Sequence, residues 1–374
     1  MARGTILLVA GGTGGHLFPA EALAHELGAR GWDVHLATDD RAERYAGTFP
    51  GQGVHAIASA TIGGRNPVKL ARAALALWKG FRQSTQLIGK IAPKAVVGFG
   101  GYPTLPPLFA ATRRGVCTLI HEQNAVMGRA NKALAPRVNA IAGGFLRAGG
   151  PHEAKIIETG NPVRPAVLAA SATPFSAPAD DGPVNLVVFG GSQGARFFSD
   201  MVPDAIAALP EHLRRRLHLT QQARAEDQAR VTARYAELGV VADVSPFFAD
   251  LPARMAAAHL VLARSGASTV LELSVIGRPS ILVPLPYALD DDQGHNAQIL
   301  VDANAAIMRR QPTIDAQSLA SDIAGLLGDP AALAAMAAAA RGIGRTNATQ
   351  LLADLVEAIA AGISAEDYKR GRRP

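Results

Sequence analysis

The feature that most constrains the fold is a short apolar run followed by a glycine-rich turn, which occurs twice. Residues Ile6–Ala10 are apolar without a helical period, as is typical of a buried parallel strand, and four glycines follow within Gly11–Gly15. The Ala/Leu/Glu-rich stretch Leu17–Arg30 predicts a helix, whose N-terminus would favour an anion such as a phosphate. Residues Val184–Gly194 repeat the strand and the turn. We therefore expect two doubly wound α/β domains that face a shared central cleft.

Strand-like and helix-like segments alternate through both halves, which indicates parallel sheets covered by helices. Such sheets bind their ligands at the carboxyl ends of the strands. Long helices are predicted over Ala316–Ala340 and Asn347–Ala361. The predicted strands, besides those that open each half, are Asp33–Ala37, Val54–Ile57, Ala95–Phe99, Cys117–His121, Ala140–Ala142, Lys155–Glu158, Leu217–Thr220, Val240–Val244, Leu260–Ala263, Ser280–Val283 and Ala306–Met308.

Breaks in composition suggest the domain boundaries. Two prolines in Gly160–Pro165 predict an interdomain hinge, and the Ala/Ser/Pro/Asp-rich stretch Ala169–Pro183 predicts a flexible surface insertion. We expect an N-terminal domain over 1–163, a C-terminal domain over 164–340, and a helix over 341–361 that packs back on the N-terminal domain. Residues 362–374 are polar and basic, and we expect them to be disordered.

Composition excludes several classes of protein. At 374 residues the chain is long enough for two domains. The single cysteine, Cys117, excludes a disulfide framework and makes a cytoplasmic location the default expectation. No signal peptide fits before the first strand, and no apolar run approaches the ~20 residues of a spanning helix. We therefore expect a protein that is soluble or lies on a membrane surface.

The positive charge is concentrated in the N-terminal half. The net charge is +6, and residues 1–163 carry 18 Lys/Arg against 9 Asp/Glu, which is +9. Between Tyr45 and His152 a single acid, Glu122, stands against thirteen basic residues. This asymmetry predicts an anionic surface or partner. Nucleic acid is disfavoured, since no aromatic-basic platform or nucleic-acid motif accompanies the charge.

The glycines near residue 11 match neither the dinucleotide fingerprint nor the P-loop. A more specific segment is Arg264–Glu272, which follows a predicted strand. Ser268 or Thr269 is expected to cap the helix that begins there, and the cap suits a diphosphate. Glu272 lies about one turn further on. Its carboxylate is placed either to bind both hydroxyls of a ribose or to complete a capping box with Thr269, and the residues alone leave both open.

Seven segments together resemble the MurG family of bacterial glycosyltransferases. The resemblance runs in order from about residue 4 to residue 361. It implies the glycosyltransferase-B fold, with two Rossmann-like domains. It also implies transfer of N-acetylglucosamine from UDP-N-acetylglucosamine to lipid I, which forms lipid II for the cell wall and so serves cell shape and division. The segments are Gly11–His16 with Pro19, Gly98–Tyr102, His121–Asn124, Gly160–Arg164, Gly190–Arg196, Arg264–Glu272 and Gln293–Ala297.

The resemblance also assigns residues. Glu272 would hold the ribose of UDP, Gln293 would bind the sugar hydroxyls, and the backbone of Phe248 would meet uracil. Contacts to the phosphates would come from Ser192, Ala267, Ser268 and Thr269, with Arg164 near them from the hinge. Further donor contacts implied are Thr13, Gly14, Gly15, Asn124, Val270 and Leu271.

The family's proposed base corresponds to His16. Attachment to the muramyl 4-hydroxyl with inversion at C1 requires a base, and a histidine suits that role. His16 could instead orient or bind the acceptor pyrophosphate, and His121 and His295 are weaker candidates. We expect no cofactor and no metal. The acids Asp290–Asp292, where the family has His or Gln before Gln293, allow a metal site or a solvated loop, and they put donor contacts at this subsite in doubt.

Three other functions remain open from sequence. A non-hydrolysing UDP-sugar epimerase, or another UDP-sugar glycosyltransferase, would share the fold. The epimerase needs carboxylates for acid–base work, and Glu122 is the only obvious one in the N-terminal half. A UDP-sugar sensor without catalysis is the third alternative.

The predicted helix Pro67–Lys90 is the candidate membrane contact. Its period places Leu70, Ala74, Leu77, Phe81 and Ile88 on a face expected to pack against the sheet. Leu75 and Trp78 lie near the basic side, which suggests either an ordinary surface helix or an interfacial patch. The resemblance favours the patch, on the cytoplasmic face of the inner membrane, with cell-wall synthesis proteins as further candidate partners. The patch residues are Leu75, Trp78, Lys79, Phe81 and Arg82.

Overall fold

The computed structural model describes residues 3–11, 14–39, 49–61, 66–146, 149–191 and 194–371. These form two compact units. Unit 1 contains the residues up to Arg164 together with those from Asn347 onward, and unit 2 runs from Pro165 to Thr346. The boundary thus lies one residue after the expected position, and residues 341–346 belong to unit 2.

Unit 1 is built on a parallel sheet that has seven strands within the described ranges, in the order β3-β2-β1-β4-β5-β6-β7. Its strands are β1 (Thr5–Val9), β2 (Asp33–Thr38), β3 (Gly53–Ala56), β4 (Ala95–Gly98), β5 (Cys117–Glu122), β6 (Ala140–Gly143) and β7 (Ile156–Glu158). Helices, numbered along the chain, are α1 (Gly14–Ala29), α2 (Pro67–Ile91), α3 (Leu105–Arg113), α4 (Arg129–Leu134), α14 (Ala348–Ala360) and α15 (Ala365–Gly371), with 3-10 turns at Tyr102–Thr104 and Gly150–Lys155.

Unit 2 repeats this topology. In the part of the chain that the structure describes, its parallel sheet has six strands in the order β10-β9-β8-β11-β12-β13. The strands are β8 (Val184–Phe189), β9 (Leu217–Gln222), β10 (Val241–Ser245), β11 (Leu260–Ala263), β12 (Ser280–Leu282) and β13 (Ala306–Met308). The helices are α5 (Pro165–Ala170), α6 (Arg196–Ala207), α7 (Glu211–Arg214), α8 (Ala225–Glu237), α9 (Leu251–Ala257), α10 (Ala267–Ile276), α11 (Asp292–Asp302), α12 (Ala316–Leu327) and α13 (Pro330–Ile343), with 3-10 turns at Leu289–Asp291 and Gln311–Thr313.

The first strand of each unit lies at the centre of its sheet. In unit 1 the strand order reverses between β1 and β4, and in unit 2 it reverses between β8 and β11. Side chains of both faces of β1 are fully buried, Ile6 and Leu8 against one cluster and Leu7 and Val9 against the other. A ligand of a doubly wound sheet binds where the order reverses, at the carboxyl ends of the strands. The loops after β1, β4, β8 and β11 are therefore the first places to examine.

The chain's C-terminal helices belong to unit 1. Leu352, Val356 and Ile359 of α14 lie in the same buried cluster as β1 and α1. The Arg30 guanidinium donates to Asp354 at 2.7 Å and to Glu357 at 3.0 Å. The expectation that everything after residue 361 is disordered is wrong for Ala365–Gly371, which is helical, because Ala365 is buried in this cluster and Lys369 donates to the Glu153 carbonyl.

The expected flexible insertion at Ala169–Pro183 is instead anchored in unit 2. The guanidinium of the buried Arg278 donates to the Thr173 carbonyl at 3.0 Å and lies 5.6 Å from the Phe175 ring centroid. Arg216 donates to the carbonyls of Ala179 and Gly182 at 2.6 and 2.8 Å. These partners lie far away in sequence, and composition does not reveal them.

Two predicted helices differ in detail. The helix expected over 316–340 divides at Gly328 and Asp329, because the Asp329 carboxylate accepts from the Ala332 N–H and so caps a new helix that begins at Pro330. In α1 the helix begins at Gly14 rather than Leu17, which places His16 inside its first turn.

The face of α2 that packs on the unit is turned from its expected position. The buried residues are Ala73, Gly80, Ser84, Leu87 and Ile88, whereas Leu70 is 41% exposed and Ala74 is exposed. Gly80 explains the shift, since a Cβ there would lie 1.9 Å from the Ala58 carbonyl oxygen, so only glycine allows this close approach. The expected buried face is therefore wrong at Leu70 and Ala74, because a close contact at a glycine, which hydrophobic periodicity does not reveal, sets the rotation of the helix.

Among the helices in the described ranges, none is by itself long and apolar enough to cross a membrane. One pair, Ala316–Leu327 with Pro330–Ala360, passes the length and composition test only as a pair bent by 90°.

Candidate functional site

His16 lies at the reversal point of the unit 1 sheet, enclosed by glycines. The Gly11 N–H, directly after β1, donates to the Gly100 carbonyl after β4 at 3.2 Å. A Cβ at Gly100 would lie 3.2 Å from His16 Cε1, and Cβ atoms at Gly11 and Gly101 would lie 3.3 and 3.4 Å from Cδ2. Gly100 and Gly101 also have φ angles of 94° and 80°, which favour glycine. The imidazole is therefore held on several sides by backbone that has no side chains.

A chain of hydrogen bonds runs from His16 into the unit. His16 Nδ1 lies 3.2 Å from Gln123 Oε1, and Gln123 Nε2 lies 3.0 Å from His121 Nδ1. Gln123 Nε2 also donates to the Phe99 carbonyl at 2.9 Å. His121 Nε2 lies 3.1 Å from the Gly160 carbonyl, after β7. The ends of β4, β5 and β7 thus meet the start of α1 in one buried polar network.

Burial keeps both histidines neutral near pH 7. Burial lowers the pKa of His16 below 6.5, and hydrogen bonds to Gln123 and Phe99 with the nearby Glu122 charge oppose this only in part. Burial lowers the pKa of His121 to about 4. A neutral imidazole can accept a proton, so His16 is in the charge state that a general base requires.

The carboxylate of Glu122 is fully used by its own loop. Its Oε1 accepts from the backbone N–H and the side-chain amide of Asn124, both at 3.1 Å. Its Oε2 accepts from the Gly128 N–H at 2.9 Å and from Asn131 Nδ2 at 2.8 Å. Glu122 is 2% exposed. It therefore shapes the loop that carries Gln123 and Asn124.

Other N-terminal candidates lie around the same turn. Gly14 and Gly15 are the first residues of α1, and a Cβ at Gly15 would meet no described atom within 4 Å. The Arg164 guanidinium lies 5.0 Å from the ring centroid of Phe18 in α1, so the structure places Arg164 beside the glycine turn of unit 1. Thr13 lies outside the described residues.

In unit 2 the corresponding corner is the start of α10. The cap residue is Gly266, in extended backbone and without a side-chain cap, so the expected cap at Ser268 or Thr269 is wrong. Because the helix begins at Ala267, both hydroxyl residues lie in its first turn, where the backbone N–H groups have no partner within the helix. A capping box between Thr269 and Glu272 is thereby excluded, since the box requires the cap residue itself.

Glu272 lies one turn into α10 and is 7% exposed. Val270 and Leu271, between it and the helix start, are also buried, at 0% and 7% exposed. The exposed end of this element is the turn formed by half-buried Gly266, Ala267 and Ser268.

Side-chain bonds place Gln293 next to the start of α10. Ser265 Oγ donates to the Gln293 carbonyl at 2.8 Å, and Asn296 Nδ2 donates to the Ser265 carbonyl at 3.3 Å. The Gln293 side-chain oxygen accepts from the Leu285 N–H at 3.0 Å. The first turns of α10 and α11 are thus joined after β11 and β12.

Arg264, the first residue after β11 in the loop that leads into α10, is buried and held by several neighbours. Its guanidinium donates to the carbonyls of Val283 and Pro284, both at 3.0 Å, and lies 5.2 and 5.3 Å from the ring centroids of Phe197 and Phe198. Burial lowers its pKa to about 10, so it remains charged at pH 7. A cation fixed directly before the α10 turn adds positive charge where an anion would bind.

Phe248 and Gln293 lie at different parts of the unit 2 sheet. Phe248 follows β10 at the other side of the sheet, with β9, β8 and β11 between, and its ring lies 4.4 Å from the guanidinium carbon of Arg254. The glycine turn after β8 lies between these positions, where the Gly190 N–H donates to Gln222 Oε1 at 3.0 Å. Ser192 of this turn lies outside the described residues.

The three acids before Gln293 are bound within the protein or begin a helix. Asp291 forms a two-point ion pair with Arg310 at 2.6 and 2.8 Å, which lowers the pKa of Asp291, and Asp292 is the first residue of α11. In the ranges that the structure describes, no group of three or more His, Cys, Asp or Glu residues is arranged to hold a metal ion. His295 is exposed on α11.

Comparison with known proteins identifies the family. Residues 6–143 match the glycosyltransferase family 28 N-terminal domain and residues 185–356 its C-terminal domain. The chain is 62% identical, over 373 residues and 100% of both chains, to a UDP-N-acetylglucosamine--N-acetylmuramyl-(pentapeptide) pyrophosphoryl-undecaprenol N-acetylglucosamine transferase of Chelativorans sp. (strain BNC1). It is 59% identical, over 100% of this chain and 98% of the relative, to that of Brucella canis. The chain belongs to the MurG family of glycosyltransferases.

Solved structures agree with the glycosyltransferase-B fold of this family. The crystal structure of Acinetobacter baumannii MurG has a TM-score of 0.78 at 28% identity and covers 95% of this chain and 99% of its own. A UDP-GlcNAc 2-epimerase from Neisseria meningitidis, bound to UDP-GlcNAc, has a TM-score of 0.64 at 14% identity, with 94% and 98% covered. The second likeness shows the fold alone.

Sequence reasoning missed three residues that the geometry makes prominent: Gln123, Arg264 and Phe109. Gln123 and Arg264 lie inside the segments that carry the MurG resemblance. The motifs include both residues but do not reveal the contacts that each side chain makes. Phe109 of α3 is 39% exposed, and its ring centroid lies 5.7 Å from that of Phe81. Only the packing of α3 against α2 places it there.

Proposed function

We propose that this protein transfers N-acetylglucosamine from UDP-N-acetylglucosamine to the muramyl 4-hydroxyl of lipid I, and so forms lipid II in peptidoglycan synthesis. The observation that carries the proposal is the match to relatives of that name, at 62% and 59% identity over essentially the whole of both chains. Neither unit is missing or replaced, so the chain retains both parts that the relatives have.

We propose His16 as the base that takes the proton of the acceptor hydroxyl. It is neutral near pH 7, its Nδ1 is bonded to Gln123, and it lies at the ligand-binding edge of the unit 1 sheet. Such a base contributes roughly 10²–10⁴-fold to a rate. The attacking oxygen displaces UDP from C1 of the sugar in one step, and the linkage inverts from α to β.

We propose that unit 2 binds the donor. The first turn of α10 supplies free N–H groups for the diphosphate, with Arg264 behind it, and this stabilises the charge that develops on the departing UDP. Glu272 binds the ribose hydroxyls, Gln293 the sugar, and the Phe248 backbone the uracil. The other donor contacts in this proposal are Thr13, Gly14, Gly15, Asn124, Arg164, Ser192, Ala267, Ser268, Thr269, Val270 and Leu271.

The epimerase alternative is not favoured. Its sequence argument rested on Glu122 as an acid–base carboxylate in the N-terminal half. In the structure four donors engage both oxygens of this buried side chain, which leaves little capacity for proton transfer to a substrate.

We further propose that α2 and α3 contact the cytoplasmic face of the cell membrane, where the lipid-linked acceptor is reached. Leu75 and Trp78 are 65% and 56% exposed, and they lie opposite the buried face of α2. The guanidinium of Arg82 lies 5.0 Å from the Trp78 ring centroid, and those of Arg113 and Arg137 lie 6.0 and 5.9 Å from that of Phe109. Exposed aromatic rings flanked by cations are typical of a surface that binds anionic lipid.

The membrane patch is thus Leu75, Trp78, Lys79, Arg82 and Phe109, with Phe81 as its half-buried support. Phe81 packs against the unit core and against Phe109, so it is less exposed than a direct lipid contact requires. Other cell-wall synthesis proteins are also proposed as partners, on the resemblance alone.

The test is incubation of the protein with UDP-N-acetylglucosamine and a soluble lipid I analogue, followed by mass spectrometry. We expect a product heavier by one N-acetylglucosamine and release of UDP. His16→Ala should lose most of this activity, whereas His295→Ala, at an exposed histidine, should keep it. Epimerised nucleotide without transfer would support the epimerase, and nucleotide binding without turnover would support a sensor.

A further inference from the structure

The orientation of the Gln123 side chain is fixed by its neighbours. One end of its amide lies 2.9 Å from the Phe99 carbonyl and 3.2 Å from the His121 carbonyl, both of which can only accept. That end is therefore the NH₂ group, because an oxygen there would face two other oxygens without a hydrogen. The amide oxygen necessarily points to His16, at 3.2 Å from Nδ1.

The proton positions on His121 agree with this orientation. His121 Nε2 lies 3.1 Å from the Gly160 carbonyl, which only accepts, so Nε2 carries the hydrogen. In a neutral ring Nδ1 is then an acceptor, and it lies 3.0 Å from the Gln123 NH₂ group. The fully buried His121 is neutral, since burial lowers its pKa to about 4. Each hydrogen bond in the chain then has one donor and one acceptor.

The same reasoning extends to His16. The Gln123 oxygen accepts, so a hydrogen must be on His16 Nδ1, and the lone pair of the neutral ring is on Nε2. We propose that Gln123, oriented by His121 and the Phe99 carbonyl, is a positioning residue that holds His16 as the Nδ1–H tautomer and leaves Nε2 as the atom that receives the proton. This inference rests on the proposed function, in which His16 is the base.

The alternative orientation of the His16 ring is disfavoured. A ring turned over by 180° would put Cδ2 in place of Nδ1 at the Gln123 oxygen and would lose the hydrogen bond.

The titratable and charged groups that act on His16 are few. The Glu122 charge raises the pKa of His16, and His121 is its titratable neighbour. The Glu122 carboxylate is bonded to Asn124, Gly128 and Asn131. The backbone of Phe99 also hydrogen-bonds the His16 ring and raises its pKa. In this proposal the Gln123 amide oxygen, 3.2 Å from Nδ1, is the side-chain acceptor that selects the tautomer.

The wild-type protein provides the first test. In protein labelled with ¹⁵N-histidine, the His16 ring signals are identified by their loss in His16→Gln. Long-range ¹H–¹⁵N spectra at pH 7.5 distinguish a protonated from an unprotonated ring nitrogen. We expect a protonated Nδ1 and an unprotonated Nε2, and a predominant Nε2–H tautomer would overturn the proposal. The tautomer itself is read in the wild-type protein, and the variant serves only to assign the signals.

The second test is Gln123→Met, which keeps the length of the side chain and removes the amide. We expect the tautomer ratio of His16 to shift about three- to tenfold toward Nε2–H, because one neutral hydrogen bond is lost. With a lipid I analogue, kcat should fall about tenfold while the Kd for UDP stays within about twofold. The hydrogen bond to Gln123 raises the pKa of His16 in wild type, so its removal lowers that pKa and should move the acid limb of kcat/KM to lower pH.

Thr118→Val is the matched control. Thr118 is a buried residue of β5, and its hydroxyl donates to Asn139 at 3.1 Å, outside the His16 network. We expect the control to keep the wild-type tautomer and pH profile. Unchanged tautomer in Gln123→Met, with or without a lower kcat, would overturn the positioning role. Failure of the proposed function is distinguishable, because wild type would then not transfer the sugar although the tautomer could still be read.

Discussion

Replacing Glu272 by glutamine is expected to weaken UDP binding without unfolding the protein. The carboxylate is 7% exposed and lies one turn after the Gly266 cap of α10. No capping box involves it, because Thr269 is the third helical residue rather than the cap. We propose that this buried carboxylate, near the proposed diphosphate site, binds the two hydroxyls of a ribose. Glutamine preserves the size of the side chain and removes only its charge.

The expected magnitude follows from the bond that is lost. A hydrogen bond to a charged group contributes about 1.5–3 kcal/mol, and its loss corresponds to roughly a ten- to hundredfold higher Kd. A neutral hydrogen bond from a ribose hydroxyl to the glutamine oxygen remains, so the lower part of this range is expected for Glu272→Gln and the upper part for Glu272→Ala. The effect should be much smaller for 2′,3′-dideoxy-UDP, which lacks the hydroxyls.

Calorimetric titration of UDP and of dideoxy-UDP into each variant measures these affinities. Asp227→Asn is the matched control, because Asp227 is a 5% exposed carboxylate of the same unit that pairs with Arg230 at 3.0 Å, on α8. It should bind UDP as wild type does. A folded Glu272→Gln protein with wild-type affinity, or an equal loss of affinity for both nucleotides, would refute the ribose role.

Three further predictions follow. The acid limb of kcat/KM should lie below pH 6.5, because burial lowers the pKa of His16 and the base stays neutral until the pH falls through that lowered value; a limb at or above 6.5 would contradict this. Arg278→Met should lower the free energy of unfolding by at least about 3 kcal/mol in chemical denaturation, because several buried carbonyls lose their donor, whereas Arg215→Met at an exposed ion pair should change it little. Trp78→Ser with Lys79→Glu should abolish salt-sensitive sedimentation with anionic vesicles, and wild-type sedimentation of this variant would place the membrane contact elsewhere.

The strands and their order of appearance could be predicted because each is a short apolar run between turn residues. Every predicted strand is present, and no end differs from its prediction by more than two residues. This succeeded because a strand buried on both faces needs little beyond its own composition. The same local logic failed for the helix over 316–340, although its Gly328-Asp329-Pro330 sequence contains both a capping residue and a proline suited to the first helical position. The signal for a break in the helix was therefore present in the local sequence, but the high alanine content on both sides favoured one continuous helix.

Other differences have no local cause. Residues 169–183 are polar and rich in small side chains. They are anchored by Arg278 and Arg216, which lie 34 to 105 positions away, and by packing of Phe175 against the unit 2 core. The rotation of α2 depends on one contact between Gly80 and the Ala58 carbonyl. Such contacts form between elements after these have packed, so a pattern of residues along one element does not contain them.

The residues of the candidate site likewise fall into those that local sequence predicts and those that depend on contacts between elements. The sequence placed His16 in an anion-binding turn, since the glycines and the following helix are contiguous with it. It could not place Gln123, because the function of that side chain depends on four strand ends meeting: the turn after β1, Phe99 after β4, His121 at the end of β5 and Gly160 after β7. A glutamine in a strand-to-loop motif is compatible with many roles. Once two carbonyls fix which end of its amide is the donor, its oxygen can face only a ring N–H, and the choice of proton acceptor on His16 follows from acceptors that are invisible in the sequence.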